Sequence, residues 1–217
     1  STMPDKKWFP AELVCEGFPG QFKNWFYVLL VMSQVLEGEN FQRKPHPFKN
    51  LLGFASVVDE KGEEMHKSKG NAIWFNDAVE KIGADVMRWM YATQSPASNL
   101  RFGYNVARET ERKLLTLTNC LTFFLTYVEK KATINYKLQT IYLTNILDRW
   151  ILSRLNNLIK EATECLEKFD SMRASQAIED FWINDLSLWY VRRSRKRFQN
   201  PETQEDKQQA EQTFYYV

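Results

Sequence analysis

The 217-residue sequence is poor in the residues that build cross-links and metal sites. Its three cysteines, Cys15, Cys120 and Cys165, lie far apart with no paired spacing. That scatter excludes a disulfide framework and a paired-cysteine zinc site, and it reads as reduced thiols of a cytoplasmic protein. The two histidines, His46 and His66, do not complete a ligand set, so no protein-bound metal is expected. No apolar run approaches the roughly 20 residues that span a bilayer, and no membrane partner is expected. The amino-terminal stretch lacks the basic-then-apolar order of a secretion signal. Internal repeats and low-complexity tracts are also missing. Charge of one sign is not in excess: 29 Lys and Arg against 27 Asp and Glu leave +2. Partners must therefore be read from where the charges cluster, not from their sum.

What is present is a foldable chain. Hydrophobic residues make up 44% and aromatics 14%, which argues against disorder. The length suffices for one large domain or two small ones with a real core. The chain starts at Ser1-Thr2-Met3 and stops at Phe214-Tyr215-Tyr216-Val217. Neither end reads as a natural terminus, so a piece of something larger is expected.

Leu13-Val14-Cys15-Glu16 is a strand candidate, broken by a turn at Gly17-Phe18-Pro19-Gly20. Gln21 to Leu36 reads as a helix, with Trp25, Leu29, Met32 and Leu36 on one face. Leu51 to Val58 is a mostly apolar run of the kind buried on both faces of a sheet. Strand, helix and strand in this order make a crossover unit of a parallel sheet. Asn76 or Asp77 then caps a helix to Met90, with Val79, Ile82, Val86 and Met90 as its stripe. From Val106 the pattern is helical, and Leu114, Leu117, Leu121, Leu125 and Val128 form one stripe. A polar connector at 130–137 leads to a helix capped by Asn145, with Trp150 or Ile151, Leu155, Leu158, Ala162, Leu166 and Phe169 inward. Asp170-Ser171 caps another, using Ala174, Ile178, Phe181 or Trp182, and Trp189, and it ends at Gln199-Asn200-Pro201. The expected fold class is an α/β fragment with a parallel sheet followed by a mainly α-helical bundle, mostly α overall.

Three stretches carry chemistry. In Glu64-Met65-His66-Lys67-Ser68-Lys69-Gly70-Asn71, two lysines flank a serine and a glycine relaxes the backbone. Concentrated positive charge on a short loop after a strand suits phosphoryl oxygens, although charged surface loops are common. In Glu16-Gly17-Phe18-Pro19-Gly20-Gln21-Phe22-Lys23-Asn24-Trp25-Phe26, a glycine-rich turn joins a strand end to a helix start, where backbone amides suit an anion or polar ligand. Trp25 there fits a core as readily as a pocket. Arg192, Arg193, Arg195, Lys196 and Arg197 crowd the end of a helix, more cations than the helix dipole alone accounts for. Arg-rich clusters of this kind grip nucleic-acid phosphates.

Taken together these stretches resemble the isoleucyl-tRNA synthetases, a class I, Rossmann-fold family. Glu64 to Ser68 is similar to the KMSKS signature, with Glu64 and His66 replacing its first lysine and first serine. Glu16-Gly17, Gln21 and Trp25-Phe26 are similar to the EGxDQxRGWF stretch, with one residue inserted and Gly20 standing where aspartate is usual. Gly83-Ala84-Asp85 with Arg88-Trp89, Asp148 to Leu155, and Asp185 to Arg195 follow in the family's order. The resemblance implies the C-terminal part of a Rossmann catalytic domain at 1–60, a signature loop and stem-contact region at 61–100, and a truncated anticodon-binding bundle at 101–217. It implies ATP as substrate, with Mg2+ accompanying it, activation of isoleucine, and transfer to tRNA(Ile). Lys67 takes the catalytic place, with Met65, His66, Ser68, Lys69 and Asn71 completing the ATP loop. Glu16, Gly17, Gln21 and Trp25 line the aminoacyl-adenylate, and the five cations from Arg192 to Arg197 face tRNA. The HIGH signature, the N-terminal catalytic half and the editing domain are missing from this stretch, so the chain alone is expected to be inactive. A valyl- or leucyl-type fragment and a non-catalytic helical RNA-binding module are the alternatives.

Overall fold

A computed structural model describes residues 10–21, 23–37, 46–128 and 143–217. The polar connector expected at 130–137 lies outside them. The chain forms two compact units, one of Ser1–Trp74 with Gln94–Gly103, the other of Phe75–Thr93 with Tyr104–Val217. The region 61–100 is thus shared between them.

In the first unit, β1 (Ala11–Gly17) leads through a single turn, α1 (Phe18–Gln21), into α2 (Trp25–Glu37) and then β2 (Phe48–Phe54). β1 and β2 run parallel, with Val14 opposite Leu51 and Gly17 opposite Phe54. This is the expected crossover order, and it accounts for Gly53: a Cβ there would stand 2.9 Å from the Phe18 ring. The run 51–58 is not one strand buried on both faces. It divides into β2 and β3 (Val57–Val58), and β3 pairs in parallel with β4 (Leu100–Arg101) in a second sheet. The division has a hydrogen-bonding cause. The Ala55 amide donates to the Pro96 carbonyl, the Leu100 amide donates to Ser56, and the Asn99 side chain accepts from the Ser56 amide. The backbone changes partners between the strands, and Leu51, Phe54 and Val57 stay exposed.

The second unit is helical: α3 (Phe75–Ile82), α4 (Ala84–Ala92), α5 (Tyr104–Tyr127), α6 (Ile146–Glu167), α7 (Ser171–Asp180), α8 (Arg192–Gln199) and α9 (Gln204–Tyr216). The single helix expected up to Met90 is two helices, because Gly83 adopts φ 79° and ψ 150° between α3 and α4. α3 begins at Phe75, so Asn76 and Asp77 sit inside its first turn. Two expected caps are in place. The Asn145 side chain accepts from the Leu147 amide at 2.9 Å, and that of Asp170 accepts from the Arg173 amide at 3.1 Å.

The core gathers Cys120, Ile151, Phe181, Leu186, Tyr190, Val191, Phe198, Ala210 and Phe214, with Phe123, Phe124 and Tyr127 packed against it. α5 therefore turns its aromatic face inward. Of the expected stripe, Leu117, Leu121 and Leu125 are exposed, and Val128, just past the helix end, joins the core. Aromatic rings bury more apolar surface each than leucines do, and here they decide the helix's rotation. Between α7 and α8 the helix continues through Phe181–Val191 with a wider, π-type winding. The wider winding advances each residue through a smaller angle, so a 3.6-residue stripe drifts off the core. Tyr190 is fully buried in consequence, and Trp189, expected inside, is 44% exposed.

Candidate functional site

The signature-like loop is built on a turn after β3. The Asp59 carboxylate organises that turn. One oxygen accepts from the Lys61 and Glu63 amides, each at 2.9 Å, and the other accepts from the Asn71 side-chain amide at 2.9 Å. Asn71 also donates to the Glu64 carbonyl at 3.2 Å and accepts from the His66 amide at 2.9 Å. One asparagine thus ties the loop's end to its beginning and to the turn beneath. The bond from Asn71, with the Glu63 amide next in weight, holds the Asp59 carboxyl below its ordinary range.

Lys67-Ser68-Lys69 form one 3₁₀ turn on this base, with His66 extended before it. The Lys69 amide donates to the His66 carbonyl and the Gly70 amide to that of Lys67. Gly70 closes the turn at φ 69°, the left-handed region that glycine occupies without cost. Lys67, Ser68 and Lys69 are exposed and Met65 is half-buried. Glu64, which stands in place of a lysine, places its carboxylate 3.3 Å from His66 Nε2. Lys67 sets Nζ over the Trp74 ring, 4.5 Å from its centroid.

The second stretch belongs to the other sheet of this unit. Glu16, next to last in β1, is half-buried, and its Oε1 accepts from the Gly17 amide at 2.9 Å. Gln21 closes α1, and its side chain lies outside the described residues. Trp25 opens α2 with 42% exposure, its ring tilted 49° to that of Phe26 at 5.4 Å between centroids, so it is not a core residue of the described unit.

The basic helix separates its five cations into different environments. Ser194, Arg197 and Phe198 are buried at helical spacing, and Arg192, Arg193, Arg195 and Lys196 lie on the outer side. Arg197 is internal to the fold. Its guanidinium donates to both Asp148 oxygens at 2.7 Å, and its Nε donates to Asp206 at 2.9 Å. Tyr190 adds its hydroxyl to Asp148 at 2.8 Å. Burial alone lowers the Arg197 pKa, and the bonds to Asp148 and Asp206 outweigh it and raise the pKa. Burial, then the Asp148 charge, raises the Tyr190 phenol well above its ordinary range. With its donors committed, Arg197 is unsuited to a phosphate contact. Lys196 is engaged by Glu202 at 2.8 Å.

Two of the remaining arginines ride on aromatic faces. Arg193 stacks on Trp189 with its guanidinium carbon 3.7 Å from the ring centroid, and Arg195 stands 5.6 Å from that of Phe123. Arg192 and Arg195 border a hollow of about 350 Å³ with Asn119, Cys120, Phe123 and Leu188. The buried Asp148–Arg197 pair, joined by the half-buried Asp206, is the part that sequence reading missed. Asp148, three residues past the Asn145 cap, is fully buried, which no local pattern indicates. A cation at the inward helical spacing of Ser194 and Phe198 was the available signal.

A family model of the class I tRNA synthetases (I, L, M and V) matches residues 1–103, and one of the anticodon-binding domain of tRNA ligases matches residues 148–217. The isoleucine–tRNA ligase of Thermus thermophilus is 38% identical over 95% of this chain and 19% of its own length. That of Clostridium tetani is 38% identical over 98% of this chain and 20% of its own. The chain therefore spans about a fifth of these relatives. A leucyl enzyme solved with tRNA and LeuAMS, from Agrobacterium radiobacter K84, superposes with a TM-score of 0.74 at 17% identity, covering 95% of this chain and 24% of that one, which shows a shared fold. An α/β stretch carrying a signature-like loop, and a helical stretch matching the anticodon-binding model, lie in one chain, which belongs to the class I tRNA synthetases.

Proposed function

We propose that the protein containing this chain activates isoleucine with ATP and transfers it to tRNA(Ile). The observation that carries the reading is the loop: a base tied by Asp59 and Asn71 presents the Lys67-Ser68-Lys69 turn outward, within a family-matched α/β stretch. In the first step an isoleucine carboxylate oxygen attacks the α-phosphorus of ATP. The bond from that phosphorus to the bridging oxygen breaks, and pyrophosphate leaves with the electron pair. Negative charge grows on the phosphoryl oxygens, and the Lys67 ammonium stabilises it without proton transfer. Mg2+ accompanying ATP would share that charge. In the second step a terminal ribose hydroxyl of tRNA attacks the acyl carbonyl, the bond from that carbon to the phosphate oxygen breaks, and AMP leaves with the electron pair while the hydroxyl proton passes to the departing phosphate or to water.

Lys69 supplies a second cation in a loop whose first lysine position holds Glu64. That glutamate lies 3.3 Å from His66 Nε2. Glu16, Gly17, Gln21 and Trp25 line the adenylate in this reading. For the RNA, Arg192, Arg193 and Arg195 form the phosphate grip. Lys196 and Arg197 contribute less, because acidic neighbours already hold them.

The test is amino-acid-dependent pyrophosphate exchange by the full-length protein. Exchange with isoleucine supports the reading. Exchange with valine or leucine and none with isoleucine overturns the assigned specificity.

A further inference from the structure

Trp74 ends the segment that follows the loop, one residue ahead of α3, and its indole is 55% exposed. The Lys67 ammonium stands over that ring, 4.5 Å from the centroid. The backbone beneath this pair is tightly defined. Asn71 bonds the His66 amide, the Glu64 carbonyl and Asp59, and Gly70 closes the turn that begins at Lys67. A lysine on such an exposed turn would otherwise spread over many rotamers, each fully hydrated. The indole face attracts the cation through its quadrupole, takes water from one side of the ammonium, and leaves N–H groups pointing outward on the other.

We infer that Trp74 is a positioning residue for Lys67: the ring seats the ammonium, oriented and partly dehydrated, so that a polyphosphate docks on its open side. This rests on the proposed role of Lys67. Trp74 touches no reacting atom and acts only through the lysine. An ammonium already held at the loop tip loses less freedom when charge develops on the phosphoryl oxygens. Removing a seat of this strength lowers the rate about two- to fivefold, the range of an exposed cation–π contact.

Two measurements test it. In the 217-residue chain labelled with 13C-lysine, the Lys67 ε-methylene resonance, assigned by its loss in Lys67→Arg, is shifted upfield by the ring current. The shift vanishes in Trp74→Ala and persists in Trp74→Phe. An ε-methylene at its random-coil position in the unmodified chain overturns the inference. In the full-length protein, Trp74→Ala lowers kcat for isoleucine-dependent pyrophosphate exchange about two- to fivefold with KM for isoleucine unchanged. Trp74→Phe restores most of the rate, and Trp74→Ala adds nothing in a Lys67→Ala background. An equal loss in that background, or no loss where Lys67→Ala is itself slow, overturns the inference and leaves the reading of Lys67 intact. A Lys67→Ala protein as fast as the wild type overturns the reading of Lys67, and the inference with it.

Discussion

Asn71 donates its side-chain amide to Asp59 at 2.9 Å, and through that bond the two ends of the signature-like loop are fixed to one turn. The pair contributes no charge to a ligand. Its effect is geometric: it decides where the Lys67-Ser68-Lys69 turn stands.

Asn71→Ala should therefore act on rate more than on binding. It removes the bonds to Asp59, His66 and Glu64 together. A displacement near 1 Å at a reacting group costs up to about 100-fold, so a fall of roughly tenfold or more in pyrophosphate exchange is expected. KM for isoleucine should stay unchanged. A rise in KM alone would show that Asn71 serves substrate binding instead.

Acid gives the same relationship a second reading. The folded-state pKa of Asp59 lies below its ordinary 3.8, chiefly through the Asn71 bond. A depressed carboxyl pKa stabilises above the unfolded value, and that stabilisation disappears as pH falls through the folded one. Amide-exchange protection at His66, corrected for the intrinsic rate, should be level from neutral pH down to about 5 and fall below about 4. Asp59→Asn should remove that acid-side fall. A protection profile unaltered by Asp59→Asn would disconnect Asp59 from the loop.

Arg197 and Arg193 are four residues apart on one helix, and opposite outcomes are expected for them. Arg197→Met leaves Asp148 buried without its cation, which costs about 3–5 kcal/mol. Chemical denaturation of the chain should show that loss, and Asp148→Leu added to Arg197→Met should recover part of it. A loss within about 0.5 kcal/mol, the level of an ordinary surface change, would mean the ion pair is open to water.

Arg192→Ala and Arg193→Ala should leave the denaturation midpoint nearly unchanged and weaken tRNA binding. If each side chain neutralises one phosphate, each substitution lowers the slope of log affinity against log salt by about one. An unchanged slope in both variants, with Arg195→Ala also silent, would remove this face from the RNA interface.

These outcomes show where the sequence was readable. The parallel β1–β2 crossover followed from an apolar run, a helical face and a second apolar run, each a local pattern. The caps at Asn145 and Asp170 were readable for the same reason, since a cap acts on its own helix. The exposed lysines of the loop were legible from charge and glycine placement. What was not legible depended on distant partners. The rotation of α5 is set by Phe198 and Phe214 meeting Phe123, 75 and 91 positions on along the sequence. Trp189 leaves the core because the helix widens around it, which no 3.6-residue periodicity contains. Arg197 reads as one more cation in a basic run until Asp148 and Asp206 are placed beside it.

Gly70 provides a test of backbone conformation free of packing. It holds φ 69°, and a Cβ built there meets nothing within 4 Å. Gly70→Ala therefore introduces no clash, only the left-handed penalty of about 1–2 kcal/mol for an L-residue. The native turn can escape that penalty by opening, which releases the Gly70 amide from the Lys67 carbonyl. Exchange protection at Gly70 should then fall by roughly fivefold or more, as this strain implies. Gly70→Asn should fall less, because asparagine tolerates the left-handed region better. Equal protection in all three proteins would mean that the turn does not depend on the conformation of residue 70.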